Sequence, residues 1–399
     1  MRILLTNGHR NIGLRITRHL GAAGHRLIVA DSRALAFGFR SRYADRFEPL
    51  PAPAAPEYAD RLLALVRRLR PDVLLPLGGL AAVSARLPEF ERETAVLAAD
   101  APAHRALADK ANVYALCRQL DIPHSRVLAT DPQTLARKLS GRGGGAPLAV
   151  LKPRQDHGAG QGVVFLSGPE AVASTWHGVA GQHGPLVATE FIAGPVDAQY
   201  TVQLLFDRDS ELIEFFVLQK LRQWPAGAGN IAAAISVHQP ELVGQMLPLF
   251  RKLRWRGPAE VEFKRDPRTG DACVIEINPR FSGTIGFPLS VGVDLPGAML
   301  RASLGRAAPR ALGPYYAAGR YYWNPWPYAR SVAGDLCHPR RMGEGLRGLA
   351  MPFTRWPAGN PYVLSDPGAL IGKVLWQLGA SLRARPGASS GAAGSVHDD

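Results

Sequence analysis

A predicted hairpin at residues 259–278 constrains the fold of this chain more than any other segment. It consists of AEVEFKRD, the turn PRTG and DACVIEIN, and apolar and polar residues alternate on both sides of the turn. This alternation predicts two antiparallel strands with one apolar and one polar face. Glu262 and Lys264 fall on the polar face of the first strand, and Glu276 and Asn278 on that of the second. We therefore expect one face to pack on a core and the other to line a polar site.

The polar face of this hairpin has the side chains of a magnesium site. Pairing through the turn places Glu262 nearly opposite Glu276, and like charges that face each other destabilise a sheet. A cation between them would remove the repulsion. Two carboxylates and the amide oxygen of Asn278 suit Mg²⁺, with phosphates completing its shell. Arg280 follows the strand closely and would contact those phosphates. The alternative is an acidic strand face exposed to solvent.

A lysine and a glycine-rich segment upstream of the hairpin point to phosphate as well. Lys152 ends the predicted strand AVLKP, and HGAGQGV follows it, with Gly158, Gly160 and Gly162. Glycine backbone approaches phosphates closely and its amides donate to them. The lysine precedes the glycines and no helix follows, so this is not a P-loop. The alternative is a tight turn between two strands.

Composition and charge limit the class of protein. The chain has 399 residues and a formal net charge of +14. The basic residues are scattered, without the interleaved aromatic residues of a single-strand binder, so we expect no nucleic-acid partner. No run approaches the ~20 apolar residues of a membrane span, and the start does not resemble a signal peptide. Cys117, Cys273 and Cys337 lie far apart and predict neither a disulfide framework nor a metal site. A cytoplasmic enzyme without membrane contact is expected.

The pattern of strands and helices predicts four segments. Residues 1–105 alternate strands with helices, which predicts an α/β domain with a parallel sheet. Residues 106–310 contain runs of neighbouring strands, typical of an α+β domain with antiparallel sheets. Residues 311–385, rich in Tyr, Trp and Pro, form a C-terminal extension with a predicted helix near its end. Residues 386–399 have little apolar surface and are predicted to be a disordered tail.

Four motifs together resemble the ATP-grasp superfamily. They are ALADKANVYALC, AVLKPRQDHGAGQGV, TEFIAGPVDAQYTV and VEFKRDPRTGDACVIEINPRFSG, which occur in this order along the chain. The resemblance runs from about Asp109 to Gly292, and the residues before it resemble the pre-ATP-grasp domain that commonly precedes this fold. It implies a two-lobed α+β fold, with lobes at about 106–190 and 191–310 and ATP between them.

The resemblance also implies a role for each motif. Arg280 contacts phosphate and, with Lys152, is implied to be catalytic. Glu262, Glu276 and Asn278 are implied to bind Mg²⁺, for which Mn²⁺ is an expected substitute. The residues implied to bind ATP are Lys110, Lys152, Gly158, Gly160 and Gly162, with Glu190, Phe191 and Ile192 at the adenine and Asp197 at the ribose.

By this likeness the chain is an ADP-forming ligase that makes a C–N bond. A small-molecule carboxylate would be activated as an acyl phosphate, and an amine would then displace phosphate. The resemblance also allows a homodimer. Two alternatives stay open: activation of bicarbonate, as in biotin carboxylase or carbamoyl phosphate synthetase, and ATP binding without turnover.

Two weaker signals have competing interpretations. Gly8, Gly13 and Asp31 form an incomplete dinucleotide fingerprint, from which we predict no binding of NAD or NADP. Lys220 and Arg222 lie in LQKLRQWPAGAGN. By the family resemblance this segment lies next to the second substrate, and the alternative is a solvated hairpin tip.

Overall fold

Three β-sheets are present in the part of the chain that the computed structural model describes. No helix in this part is both long and apolar enough to span a bilayer. The described residues are 1–33, 41–142, 145–155, 160–339, 341–354, 366 and 368.

The strands of the three sheets alternate with thirteen α-helices among the described residues. The strands are β1 (Arg2–Thr6), β2 (Arg26–Asp31), β3 (Arg46–Pro49), β4 (Val73–Leu75), β5 (Ala95–Val96), β6 (Val127–Ala129), β7 (Ala149–Pro153), β8 (Val164–Leu166), β9 (Leu186–Glu190), β10 (Gln199–Phe206), β11 (Leu212–Trp224), β12 (Asn230–Ser236), β13 (Gly257–Arg265), β14 (Ala272–Asn278) and β15 (Tyr321–Trp323). The helices are α1 (Asn11–Ala22), α2 (Tyr58–Leu69), α3 (Leu80–Ala85), α4 (Leu87–Glu93), α5 (Ala101–Ala108), α6 (Lys110–Gln119), α7 (Pro132–Leu139), α8 (Val172–His183), α9 (Pro240–Lys252), α10 (Gly286–Ser290), α11 (Leu295–Ser303), α12 (Pro325–Leu336) and α13 (Met342–Thr354).

The N-terminal sheet is parallel, as the alternation of strands and helices predicts. Its strand order is β3-β2-β1-β4-β5. A parallel sheet carries helices on its faces, so its strands are nearly continuously apolar. In β1, Ile3, Leu4 and Leu5 are all fully buried. The α/β expectation for this part of the chain is therefore confirmed.

The other two sheets are antiparallel. The larger has the strand order β14-β13-β10-β11-β12-β15, and the smaller β6-β9-β7-β8. Every pairing described within them is antiparallel. This agrees with the expectation of an α+β arrangement after the N-terminal sheet.

Packing joins two of the sheets and leaves the third with a core of its own. One apolar cluster includes Leu5 and Ile16 of the N-terminal sheet and its first helix, together with Phe216 and Phe287 around the six-stranded sheet. The four-stranded sheet instead packs α7 and α8 around a separate cluster that includes Trp176. The cleft described below lies between the six-stranded and four-stranded sheets.

The C-terminal extension docks through polar contacts as well as apolar ones. Asp366 is fully buried and accepts hydrogen bonds from the Arg18 guanidinium, the Ser41 hydroxyl and the Arg42 amide. The helix predicted near residue 385 and the tail predicted at 386–399 lie outside the described residues. The limits of the four predicted segments stay predictions.

Arg222 provides a second anchor for the extension. Its Nη1 donates to Asp335 Oδ2 of α12 at 2.5 Å, and its Nη2 donates to the Glu344 carbonyl of α13. Both members of the ion pair are largely buried. Arg222 therefore stabilises the extension, and it does not contact the cleft where the family resemblance placed it.

Asp335→Ala should lower the melting temperature by about 5 °C. It leaves a buried guanidinium without its carboxylate, which is among the costlier losses in a folded protein. Differential scanning fluorimetry measures the change, and Asp209→Ala, at an exposed turn, is the control. Equal melting temperatures for the two variants would contradict this role for Arg222.

Candidate functional site

A cleft between the two antiparallel sheets collects most of the predicted site residues. It encloses about 1390 Å³ of empty space, including space open to solvent. The N-terminal helix α1 closes part of it through Asn11 and Arg15. The predicted site residues that line the cleft are Lys152, Gly160, Glu190, Phe191, Ile192, Glu262, Glu276, Asn278 and Arg280.

The hairpin of β13 and β14 pairs as its alternation predicts. Glu262 lies opposite Glu276, and Glu260 lies opposite Asn278. A bulge follows Glu262 in this register. All four of these side chains line the cleft. The polar face of the hairpin is thus the floor of the site.

Two lysine side chains reduce the repulsion between the facing glutamates Glu262 and Glu276. Lys220 Nζ lies 2.7 Å from Glu262 Oε2, and Lys110 Nζ lies 3.2 Å from Glu276 Oε1. Both lysines are buried, so each needs an anionic partner. The lysines thus reduce the repulsion for which the sequence argument proposed a metal ion, and the metal site itself stays a prediction. The sequence pattern could not reveal these pairings because both lysines come from distant segments.

The local sequence around Lys110 explains its position. Asp109 caps α6 by accepting hydrogen bonds from the amides of Ala111 and Asn112. The same carboxylate forms an ion pair with Arg154, just after β7. The cap therefore fixes the start of α6 against the strand that carries Lys152, and Lys110 is the first helical residue.

The donor set of the hairpin fits Mg²⁺. Asn278 Nδ2 donates to Glu260, whereas the buried Asn278 Oδ1 has no hydrogen-bond partner among the described residues. A buried oxygen without a donor is costly, and a cation would satisfy it. No group of three or more His, Cys, Asp or Glu side chains in the described ranges could hold a metal alone. The set therefore suits an ion whose shell is completed by substrate oxygens.

Glu260 is a site residue that the sequence argument missed. Its carboxyl group is buried, accepts from the Ser282 hydroxyl and lies 3.3 Å from Arg280 Nη1. Burial raises the pKa of Glu260 to about 7, although Arg280 opposes the shift. The signal was present, because Glu260 precedes Glu262 by two residues and shares its strand face.

Lys152 is held by Tyr114 of α6 and by the backbone of β14. Its Nζ donates to Tyr114 Oη at 2.8 Å and to the Ile275 carbonyl at 3.1 Å. It lies 5.4 Å from the centroid of the Tyr114 ring. Burial lowers the pKa of Lys152 to about 8, while Glu276 acts in the opposite direction. An anion in the cleft would restore the favoured protonated state.

The predicted adenine end is more apolar. Ile192 is buried, and the Phe191 ring meets Phe165 edge-to-face with centroids 5.7 Å apart. Lys264 Nζ lies 5.1 Å from the centroid of the Phe191 ring. The Glu190 carboxylate is held by Arg126 and Arg268, with the closer nitrogen at 2.7 Å. This end can accept a flat ring between apolar walls.

The structure does not bring Asp197 to the cleft. Asp197 lies on a 3-10 helix (Val196–Ala198) before β10, where it is exposed and lines a second pocket beside Arg222. Gln199, the first residue of β10, faces the cleft instead. The predicted ribose contact of Asp197 therefore has no support from this geometry. The helical turn between hinge and strand was not visible in the residue pattern.

Comparison with known proteins identifies the fold. The family model described as ATP-grasp in the biosynthetic pathway with Ter operon matches residues 189–318. The biotin carboxylase domain of Hydrogenobacter thermophilus 2-oxoglutarate carboxylase has a TM-score of 0.63 at 16% identity, covering 80% of this chain and 73% of that one. The chain has the ATP-grasp fold, and residues 189–318 match a family model of that superfamily.

Other solved structures with the ATP-grasp fold are also similar. The Bacillus licheniformis L-amino acid ligase has a TM-score of 0.54 at 16% identity, covering 77% of this chain and 75% of that one. The Staphylococcus aureus N5-carboxyaminoimidazole synthetase has a TM-score of 0.59 at 12% identity, covering 80% of each chain. At these identities the likeness concerns the fold. No curated protein matches the sequence.

Two glycine segments of the ATP-grasp fold meet over the cleft. Gly160 has a φ of +71°, and a Cβ there would lie 2.4 Å from the Ala228 carbonyl oxygen. Gly227, in the turn between β11 and β12, packs against the Phe165 ring. Gly162 packs between Pro153 and His183, away from the cleft lining. Gly158 lies outside the described residues.

The residues of the incomplete dinucleotide fingerprint contact other groups within the N-terminal sheet and its loops. The Asp31 carboxylate accepts from the backbone amides of His9 and Arg33 and pairs with the His9 ring at 2.9 Å. A Cβ at Gly8 would collide with Val29. These contacts engage the fingerprint residues with one another, and the absence of NAD or NADP binding stays a prediction.

The lowered pKa of Lys152 predicts that ATP binding takes up protons at alkaline pH. Near pH 8 about half of the free protein carries a neutral Lys152. The triphosphate favours the charged form and raises its pKa, so affinity should fall as the pH rises above 8. Calorimetry at pH 8.5 in buffers of different ionisation enthalpy measures the uptake, which Lys152→Met should abolish. Exposed Lys252→Met should retain it, and an uptake that persists in Lys152→Met would exclude this role.

Proposed function

We propose that this ATP-grasp protein is an ATP-dependent carboxylate–amine ligase that releases ADP and phosphate. The observation that supports the proposal is the set of charged side chains at one end of the cleft. Lys152, Lys110 and Lys220 meet the polar face of the hairpin at one end, while the other end is apolar. Phosphoryl transfer needs positioning and charge neutralisation, and this arrangement supplies both.

The proposal gives ATP one direction in the cleft. The adenine would lie between the apolar walls near Phe191 and Ile192, and the triphosphate would extend along Lys152 toward Arg280. Glu262, Glu276 and Asn278 would hold Mg²⁺, or Mn²⁺ in its place. The bound ion would neutralise charge on the phosphates. The orphaned Asn278 oxygen supports this placement.

The chemistry has two steps. A carboxylate oxygen of the acid substrate attacks the γ-phosphorus, the bond to the β,γ-bridging oxygen breaks, and ADP leaves. The amine nitrogen of the second substrate then attacks the acyl carbon, and phosphate leaves with one oxygen of the former carboxylate. The amine loses a proton in this step. Arg280 would bind the transferred phosphoryl group and stabilise its developing charge.

The glycine segments would protect the intermediate. An acyl phosphate hydrolyses if water reaches it, so the site must exclude solvent after ATP binds. Gly160 and the turn at Ala228 contact each other above the cleft. Closure of these segments on bound ATP would cover the reacting groups.

We also propose a domain assignment. Residues 1–105 would be the pre-ATP-grasp domain and 106–310 the ATP-grasp domain, followed by an extension at 311–385. The parallel order of the N-terminal sheet supports the first limit, because the antiparallel sheets begin after it. Expression of residues 106–399 without the N-terminal sheet tests the coupling, since the shared apolar core predicts an insoluble product.

A screen for acid-dependent ADP release tests the function. ATP, Mg²⁺ and the chain are mixed with amino acids, small acids or bicarbonate, and an amine mixture is added to each. Mass measurement then identifies the joined product. The proposal expects ADP only with a particular acid and a condensation product only with an amine. Turnover confined to bicarbonate would favour the carboxylase alternative, and ATP binding without ADP release would favour a non-catalytic binder.

A further inference from the structure

Arg15 belongs to the N-terminal helix α1 but lines the ATP-grasp cleft. It shares that lining with Arg280, Tyr322 and Asn324. Its Nη1 is buried and has no hydrogen-bond partner among the described residues. Its guanidinium carbon lies 5.5 Å from the centroid of the Tyr322 ring. The N-terminal α/β part of the chain therefore supplies a cationic group to the cleft.

The surroundings of Arg15 are shaped around its guanidinium. A Cβ at Gly286 would lie 2.2 Å from Arg15 Nη1, so the guanidinium packs directly against the Gly286 backbone in this position. On the other side, Tyr322 is stacked on Phe287, with ring centroids 5.2 Å apart. These contacts fix the guanidinium beside the cleft.

No carboxylate in the described part of the chain pairs with Arg15. Asp294, the acid that pairs with the next turn of α1, is occupied by His19 at 2.8 Å and by Arg301. Arg280 differs from Arg15 because it already contacts Glu260. The buried Nη1 of Arg15 thus has no acceptor among the described residues.

Burial of a guanidinium nitrogen without an acceptor is costly. A planar guanidinium matches the two oxygens of a carboxylate, and it binds them with fixed orientation. An anionic ligand in the cleft would therefore satisfy Arg15 and be oriented by it.

We propose that Arg15 binds a substrate carboxylate that does not react. This rests on the proposed ligase function. The reacting carboxylate must reach the γ-phosphate beside Lys152 and the hairpin, whereas Arg15 contacts Gly286 and Tyr322. The bound group is either a second carboxylate of the acid substrate or the carboxylate of an amino acid that serves as the amine. The substrate class is thus one with a carboxylate that survives the reaction.

Paired probes test the site and separate the two sources. Calorimetry with the full chain, ADP and Mg²⁺ at constant ionic strength compares succinate with succinamate and L-alanine with L-alaninamide. Each pair differs by one carboxylate. We expect at least one free carboxylate to bind at least 10-fold more tightly than its amide, and the pair that shows the difference identifies the source.

Variants tie that preference to Arg15. Arg15→Met should remove it while leaving ADP affinity unchanged, and Arg15→Lys should retain only part of it because the planar fork is lost. Arg26→Met, which removes an exposed arginine from strand β2 after α1, should keep the preference. If Arg15→Met fails to bind ADP, the carboxylate preference of Arg15→Lys is the deciding measurement. Equal preferences in wild type and the Arg15 variants, or no preference in wild type, would overturn the proposal.

Failure of this site and failure of the ligase function give different results. If a carboxylate preference depends on Arg15 but no acid gives ADP release, the ligase function is contradicted and the carboxylate site at Arg15 is supported. Acid-dependent ADP release without that preference would contradict the site alone.

Discussion

Glu276→Gln should lower acid-dependent ATP turnover by about 100-fold or more while the fold stays intact. The glutamine has the same shape but removes the negative charge that, in the proposed site, would bind Mg²⁺ beside the triphosphate. In the structure that charge faces Glu262 and pairs with Lys110 at 3.2 Å. The loss should therefore appear in turnover, and circular dichroism should be unchanged.

A surface variant and metal removal complete this test. Glu211→Gln removes a carboxylate that pairs with Arg251 at the surface, so its turnover should equal that of wild type. Excess EDTA should suppress wild-type turnover, and added Mg²⁺ or Mn²⁺ should restore it. Full turnover in EDTA, or in Glu276→Gln, would contradict the metal assignment.

Arg280→Ala should lower kcat by about 100-fold and weaken ATP binding by less than about 10-fold. A group that stabilises charge developing in the transition state contributes more to kcat than to binding of the ground state. Arg280 is suited to this because its guanidinium lies at the polar end of the cleft, 3.3 Å from Glu260.

The contact with Glu260 calls for a companion variant. Removing Arg280 leaves the buried Glu260 carboxyl group without its cation, which could disturb the site by itself. Arg280→Lys keeps the charge and should recover part of kcat. Pre-steady-state kinetics and equilibrium titration separate kcat from the ATP dissociation constant. If a variant loses ATP affinity but keeps kcat, Arg280 contributes to ATP binding and not to stabilisation of the transition state.

The sequence predicted those parts of the fold that follow from local periodicity. The alternation of β13 and β14 is a two-residue pattern, so it predicted both the hairpin and the facing of Glu262 and Glu276. Alternating strands and helices likewise predicted the parallel N-terminal sheet. Glu260 was equally accessible to this reasoning, because it continues the same strand face.

Features that depend on distant contacts could not be predicted this way. Lys110 pairs with Glu276 and Lys220 with Glu262, and neither pairing leaves a mark in local sequence. Arg15 lies on helix α1, whose sequence pattern predicts only which of its faces is buried. Its position at the cleft depends on how the N-terminal sheet packs against the rest of the chain. The exposed position of Asp197 could not be predicted for a related reason, since a 3-10 helix (Val196–Ala198) precedes β10.

The most direct test of the account follows an oxygen atom. The acid found by the ADP-release screen is labelled with ¹⁸O in its carboxylate, and the reaction is run with ATP, Mg²⁺ and the amine. Attack of the carboxylate on the γ-phosphorus predicts ADP as the nucleotide product and one ¹⁸O atom transferred to phosphate. AMP with pyrophosphate, or phosphate without the label, would contradict the acyl-phosphate route and the placement of the γ-phosphate beside Arg280.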